Sequence, residues 1–475
     1  MYLKKIKLTN FRCFRSLELS FERQLTVFTG GNGFGKTTIL DAVKYALNYY
    51  VRRFPGVRQM VPSTDDITTF YLDGRGDEEF QERYFLLETT ADFAEGTDVS
   101  WPVFIPNRKL PQTERKELAR ERPDGKRLCE IIDNRVKSRF DGERNILPVI
   151  AFFDTQRAVV KQKVQRRRGF RKSLDYTAGY DGCLHAGLDF KGILEWLEIF
   201  EKREYDECKQ LHDISHRCLE NRTIQYALDR LIPGLRNLRT KTGPYRMVVD
   251  AEVDGQIVPC KVDEFLSDGY RCMLMLVLNL ISRILKLNPH AYTEPEQVLS
   301  CPGVILIDEV DLHLHPAWQQ RVLPDLCRVF PEIQFIVTTH SPQVVSSVPT
   351  ECIRKIAARA LLPCGTEDEG AEGASDRCGQ HVSGPSVNTL GAKAGQILSS
   401  VFDTNERAPG TDLTKDIVAF RNMLAHGTWN TDEGNRLWEK LCLVMQTDPE
   451  LASLKIERML KAYDLEKNHE ADSQA

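Results

Sequence analysis

Gly30-Gly31-Asn32-Gly33-Phe34-Gly35-Lys36-Thr37-Thr38 decides the fold of this chain. The first eight residues fit the spacing G-x-x-x-x-G-K-[ST]. An apolar, β-forming run, Leu25–Thr29, precedes them. Ile39, Leu40, Ala42, Val43, Ala46 and Leu47 then recur at helical spacing. Strand, glycine loop and helix form the setting a phosphate-binding loop needs. The glycines let backbone N–H groups turn inward around phosphate oxygens. The helix N-terminus adds partial positive charge. Gly30, Asn32, Gly33, Gly35, Lys36, Thr37 and Thr38 are therefore the candidate nucleotide-binding residues. Lys36 is placed to reach the β- and γ-phosphates of ATP, and the Thr37 hydroxyl to hold Mg²⁺.

A second stretch supplies acids. Val304-Ile-Leu-Ile-Asp308-Glu309 is an apolar strand ending in two carboxylates. Such a strand presents its end at the carboxyl edge of a parallel sheet, where ligands bind. Asp308 suits the Mg²⁺ shell, and Glu309 suits polarising the attacking water. Thr338-Thr-His340-Ser-Pro342 closes the next apolar strand, and His340 there is a candidate for contact with the γ-phosphate. Leu266-Ser267-Asp268-Gly269-Tyr270-Arg271 precedes a strongly apolar helix, Met273–Leu287. Ser267 and Gly269 at a helix N-terminus can donate to a phosphate, although Ser-Asp-Gly is also an ordinary turn and cap. His313 and His315 follow the acidic strand directly and read as structural rather than as a metal pair.

Bulk properties narrow the class. The chain has 475 residues, 28% charged, with a net charge of −4, which does not indicate a globally basic nucleic-acid binder. Thirteen cysteines occur with no C-x-x-C pair, which argues against a zinc ribbon and for reduced thiols. Lys4, Lys5 and Lys7 interrupt any apolar leader, and Cys272–Ile281 is too short to span a bilayer. A cytoplasmic protein with no membrane contact is expected.

Short strands are predicted at Leu3–Leu8, Leu17–Phe21, Leu25–Thr29, Tyr84–Glu88 and Val103–Ile105. Asp254-Gly255 between Met247–Ala251 and Gln256–Val262 marks a hairpin. The chain then divides into 1–109, a lobe with the phosphate loop, and 110–234, a charged helical insertion. Residues 235–362 form a second lobe with the acids and His340. Residues 363–386 form a flexible acidic and Gly-rich loop, and 387–475 a helical C-terminal region whose apolar faces are open to packing within the chain or to docking of a partner or oligomer. In that region Leu413, Ile417, Phe420 and Leu424 share one helix face, and Leu437, Leu441 and Val444 another. Arg157, Lys161, Lys163, Arg166, Arg167, Arg168, Arg171 and Lys172 form an acid-free basic segment. DNA contact and a solvated basic loop are both open readings of it.

The set of four motifs in this order resembles the ABC-type ATPase heads of the SMC, RecF and OLD proteins, over residues 1–60 and 245–350. The resemblance implies an α/β fold: an ABC/SMC-type P-loop ATPase head with a helical insertion and a helical C-terminal segment. It makes Leu266–Tyr270 the signature, Asp308-Glu309 the Walker B acids, His340 the switch histidine and Asp311 the D-loop acid. Lys36, Glu309 and His340 are then the catalytic set. The resemblance also implies a head-to-tail homodimer, with Ser267 and Gly269 of one subunit completing the site at Lys36 of the other. Asp268 departs from the usual glycine; a carboxylate aimed at the γ-phosphate is repulsive, so it is expected to point away. Asn10-Phe-Arg12-Cys-Phe14 is similar to the family's opening strand, which makes Arg12 a candidate nucleotide contact, with Phe14 better suited to core packing. Gln156, after the apolar strand expected at Ile146–Phe153, is the candidate Q-loop residue.

Phrases such as Asp308-Glu-Val-Asp-Leu-His-Leu-His-Pro-Ala-Trp-Gln319 and Ile397-Leu-Ser-Ser-Val-Phe402 are similar to stand-alone bacterial ATPases of the PtuA type, found in Septu and retron anti-phage systems. That likeness implies higher oligomers and a PtuB-like HNH nuclease acting in trans. No D-x-D with an upstream partner acid and no supported HNH pattern is found, so nuclease activity is expected from another chain. A RecF-like repair clamp and an ATP sensor with negligible turnover are the competing readings.

Overall fold

The computed structural model describes residues 1–71, 79–93, 97–120, 124–140, 145–155, 176–185, 190–241, 246–253, 255–358, 380–404, 407–408, 410–446 and 448–472. Two compact units result, Met1–Phe402 and Asp403–Ala475.

The first unit is built on two large sheets. Strands β1 (Tyr2–Phe11), β2 (Phe14–Ser20), β6 (Tyr84–Asp92) and β7 (Asp98–Pro106) form an antiparallel sheet in the order β2-β1-β6-β7. The second sheet contains β3 (Leu25–Gly30), β8 (Val149–Phe153), β12 (Gly303–Ile307), β13 (Ile333–Thr338), β14 (Ile353–Ala358) and β15 (Gln380–Ser383). Its order is β15-β14-β3-β13-β12-β8, and all pairings are parallel except β14 with β15. β3, β8, β12 and β13 are buried along their whole length. Sequences of Val, Ile, Leu and Phe without polar alternation fit strands covered on both faces. A two-stranded ribbon, β4 (Thr69–Tyr71) with β5 (Glu79–Gln81), and a small antiparallel sheet, β9 (Leu235–Lys241), β10 (Arg246–Val253) and β11 (Gln256–Lys261), complete the strands.

The helix Lys36–Val51 touches strands of both large sheets and buries Ile39, Leu40, Ala42, Val43, Ala46 and Leu47. Trp101 of β7 is buried against it and donates its indole N–H to Ala46 O at 2.9 Å. The buried Gln334 of β13 joins the sheets: its amide exchanges bonds with both Leu3 N and Leu3 O at 2.8 Å. The helix Asp268–Leu287 is buried along most of its length and packs on the helices Phe190–Leu211 and Leu219–Leu231.

Several expectations need correction. The predicted strands run longer, because each pairs with a neighbour that short-range pattern does not reveal. The strand expected at Ile146–Phe153 within the 110–234 insertion is present as the shorter β8, which pairs with β12 from Gly303↔Val149 to Ile307↔Phe153 and so ties the insertion into the main sheet. Residues 380–383, read as loop, form β15 on β14, while 359–379 lie outside the described residues. The C-terminal unit begins at Asp403 rather than 387, because Ile397 and Val401 are buried in the core of the first unit. Within the second unit, helices Asp412–His426, Asp432–Met445 and Pro449–Asp472 enclose Ile417, Phe420, Leu424, Trp429, Leu441, Met445, Leu451 and Leu454. Val444, expected on the packed face, is exposed; Met445 takes its place.

Candidate active site

β3 delivers the phosphate loop and the helix Lys36–Val51 leaves it. Gly33 and Gly35 have φ of 80° and 92°, left-handed values that favour glycine. At Gly35 a Cβ would also lie 2.7 Å from the Phe14 ring, so β2 presses directly on the turn. Phe14 is therefore packing, as the sequence indicates. The Lys36 ammonium is buried and donates to Gly30 O at 2.9 Å and Gly31 O at 2.8 Å. Burial lowers its pKa; Asp308, Glu309 and Asp311 act against that shift.

Parallel register brings the acids to this loop. β12 and β13 end side by side, with β3 on the far side of β13. The Thr37 hydroxyl donates to Asp308 Oδ2 at 3.2 Å. Thr338, last residue of β13, donates from its hydroxyl to Asp308 Oδ1 at 2.6 Å. The Thr338 hydroxyl oxygen in turn accepts the Glu309 N–H at 2.7 Å, and Glu309 sits at φ 49°. Thr338 is thus a site residue that motif reading missed; its signal is a hydroxyl at the end of the strand neighbouring the acidic one. Thr37 and Asp308 offer adjacent hard oxygen donors, the set Mg²⁺ prefers.

His340 is half-buried beyond β13. Burial lowers its pKa, Lys36 lowers it further, and Asp311, Glu309 and Asp308 oppose. Asp311 turns back to this loop: Oδ1 accepts from the Thr339 hydroxyl and from His340 N at 3.4 Å.

Ser267 and Gly269, expected as signature residues, stand at the start of the helix Asp268–Leu287, with Ser267 as N-cap. A Cβ on Gly269 would lie 2.7 Å from His313 O, and the Tyr270 ring packs against Trp318 at a tilt of 56°, with 4.7 Å between ring centroids. Asp268 pairs with Arg271 one turn along its own helix. His315 caps the short helix Pro316–Gln319, its Nδ1 accepting from Ala317 N at 3.2 Å. Arg12, expected at the nucleotide, has its guanidinium held by Asp66 at 2.8 Å and by Asp41 of the phosphate-loop helix at 2.5 Å. Gln156 and the basic segment 157–172 lie outside the described residues. Among the described residues no helix is long and apolar enough to cross a membrane.

The chain is similar to several known proteins and protein families. The AAA domain family matches residues 5–219, and a second AAA-domain family, whose description also names the AbiEii toxin and type IV toxin–antitoxin systems, matches residues 274–346. The chain is 24% identical over 528 aligned positions to "Retron Ec83 probable ATPase" of Escherichia coli, covering 98% of this chain and 88% of that protein. It is 22% identical over 356 positions to "Septu protein PtuA" of Bacillus thuringiensis, covering 73% and 74%. Among solved structures, an SMC head bound to the C-terminal winged-helix domain of ScpA aligns with 81% of this chain and 98% of its own, at TM-score 0.45 and 14% identity. The chain is a homologue of Septu PtuA and retron ATPases and carries AAA-type ATPase domains.

Proposed function

We propose that this homologue of Septu and retron ATPases is the ATP-binding and ATP-hydrolysing subunit of an anti-phage defence complex. The observation that carries the reading is the contact of Thr37 with Asp308, which joins the phosphate loop to the acidic strand. Lys36 and the loop N–H groups bind the phosphates of ATP. Thr37 and Asp308 would hold Mg²⁺, which would supply neutralisation of the phosphate charge. Glu309 orients and polarises the attacking water, and His340 contacts the γ-phosphate. Two of the three donors of the Lys36 ammonium are engaged by Gly30 O and Gly31 O.

Two heads pair head to tail, Ser267 and Gly269 of one closing on the loop of the other. ATP favours the paired state and hydrolysis the separated one. The difference controls an HNH nuclease on another chain; this chain cuts no nucleic acid itself. The likeness to PtuA by name and to retron ATPases supports the defence setting.

The test compares wild type with Glu309→Gln. Wild type should hydrolyse ATP with Mg²⁺, and the variant should lose about 100-fold or more in turnover with ATP affinity within about twofold. A variant as active as wild type would remove Glu309 from the mechanism. Co-purification with neighbouring gene products, read by mass spectrometry, tests the partner: an HNH protein in fixed ratio supports the defence complex. A nuclease-free homodimer binding duplex DNA with ATP would replace it with a repair clamp.

A further inference from the structure

His340 is flanked by two residues tied to the same neighbouring segment. On one side, Asp311 accepts from Thr339 and from His340 N. On the other, Ser341 donates its hydroxyl to Gln319 Oε1 at 2.7 Å. The Gln319 amide turns its donors inward, to Leu314 O at 2.9 Å and to Asp311 O at 3.4 Å. One side chain therefore fastens the turn after the acids and the loop that carries His340. Ser341 does double duty: its hydroxyl oxygen also caps the helix Pro342–Val345, accepting from Gln343 N and Val344 N.

The fastening segment is itself anchored. Trp318, next to Gln319, packs at a tilt on Tyr270, and His313 O lies 2.7 Å from where a Cβ on Gly269 would stand. Gln319 thus stands between a rigid contact with the helix Asp268–Leu287 and the loop of His340.

We infer that Gln319 is a positioning residue for ATP hydrolysis, its amide holding the His340 loop in register with Asp308 and Glu309. The inference rests on the ATPase reading above. It acts through Ser341 and the Asp311 turn, not by touching nucleotide. A side chain that makes three short-range bonds across two loops restricts both, and a misplacement of about 1 Å at a reacting centre costs rate rather than affinity.

Full-length wild type, Gln319→Ala, Ser341→Ala, Ser341→Thr and the double variant Gln319→Ala/Ser341→Ala are compared. ATP affinity is read with a fluorescent ATP analogue, turnover by phosphate release and folding by thermal melting. Each alanine variant should lower kcat about fivefold to tenfold, the scale of one lost hydrogen bond, with affinity within about twofold. Ser341→Thr keeps the hydroxyl and should retain wild-type kcat. The double variant should be no slower than the slower single, because one bridge is being broken twice. Unchanged kcat in Gln319→Ala, or additive losses in the double variant, would overturn the inference. A parallel loss of affinity and melting temperature would instead make Gln319 a fold residue and overturn it as well.

Should wild type fail to turn over ATP, the ATPase reading fails and a second readout decides the positioning role. His340 is followed by NMR on histidine-labelled protein, assigned with His340→Ala. Lys36 faces it from the phosphate-loop helix, and Asp308, Glu309 and Asp311 from the turn after β12. Gln319→Ala should loosen the loop and move the His340 titration toward the ordinary value of 6.5. A His340 titration identical in both proteins would overturn the inference without reference to turnover.

Discussion

Thr338 shows how one hydroxyl organises the candidate site. It donates to Asp308 and accepts from the Glu309 N–H, so it fixes together the carboxylate proposed to hold Mg²⁺ and the backbone of the acid proposed to polarise water. Thr338→Val keeps the shape and removes both bonds. A buried N–H without a partner costs about 1–3 kcal/mol. The variant should fold, with a lowered melting temperature, and should need more Mg²⁺ for half-maximal turnover; an unchanged Mg²⁺ dependence would show that Asp308 needs no such support. His340 gives a pH prediction. Burial, then Lys36, lowers its pKa below the ordinary 6.5. As pH falls through 6.5 the unfolded chain takes this proton first, so it holds more protons than the folded chain. Stability is therefore complete above that pH and is lost as pH falls through the lowered folded pKa. His340→Asn should flatten the acid side of a plot of melting temperature against pH; parallel curves for both proteins would contradict the burial argument.

At the scale of elements, the turn from β3 into the helix Lys36–Val51 is specified twice. Gly35 needs its left-handed backbone at φ 92°, and it needs the absence of a Cβ because Phe14 occupies that space at 2.7 Å. Gly33 has φ 80° but nothing within 4 Å of a Cβ. Gly35→Ala and Gly33→Ala therefore separate strain from crowding. Left-handed strain alone costs about 1–2 kcal/mol. Gly33→Ala should lose that amount in chemical denaturation, whereas Gly35→Ala should lose clearly more and should weaken ATP binding at least about tenfold. Equal losses in the two variants would mean that Phe14 yields without cost. The same crowding explains the Asn10–Phe14 motif at the start of the chain: Phe14 packs under the loop, and Arg12 ties Asp66 to Asp41 of the loop helix. That tie was not visible in sequence, since Asp41 and Asp66 follow no spacing rule relative to Arg12.

At the scale of the whole molecule, the second unit carries its own core. Phe420 is fully buried there and stacks on Trp438 at 5.1 Å. Phe420→Ala should cost about 3–5 kcal/mol, enough to unfold a unit of this size. Limited proteolysis should then remove residues beyond Phe402 while the remaining chain still binds ATP; loss of ATP binding in the trimmed protein would tie the two units energetically. The sequence by itself determined the phosphate loop, the acidic strand, the order of the motifs and the α/β class, because glycine, lysine and threonine at fixed spacing and unbroken apolar strands are local signals. It also indicated the apolar faces of the C-terminal helices, but placed Val444 inside where Met445 packs, since one residue of helix phase is settled by neighbours. Only the tertiary structure decided that β8 joins β12 at the sheet edge, that Ile397 and Val401 belong to the first unit, and that Thr338 meets Asp308 and Gln319 meets Ser341. Each of these depends on residues far apart in the chain meeting through parallel pairing or loop packing, and a hydroxyl or an amide carries no mark in the sequence of the partner it will meet.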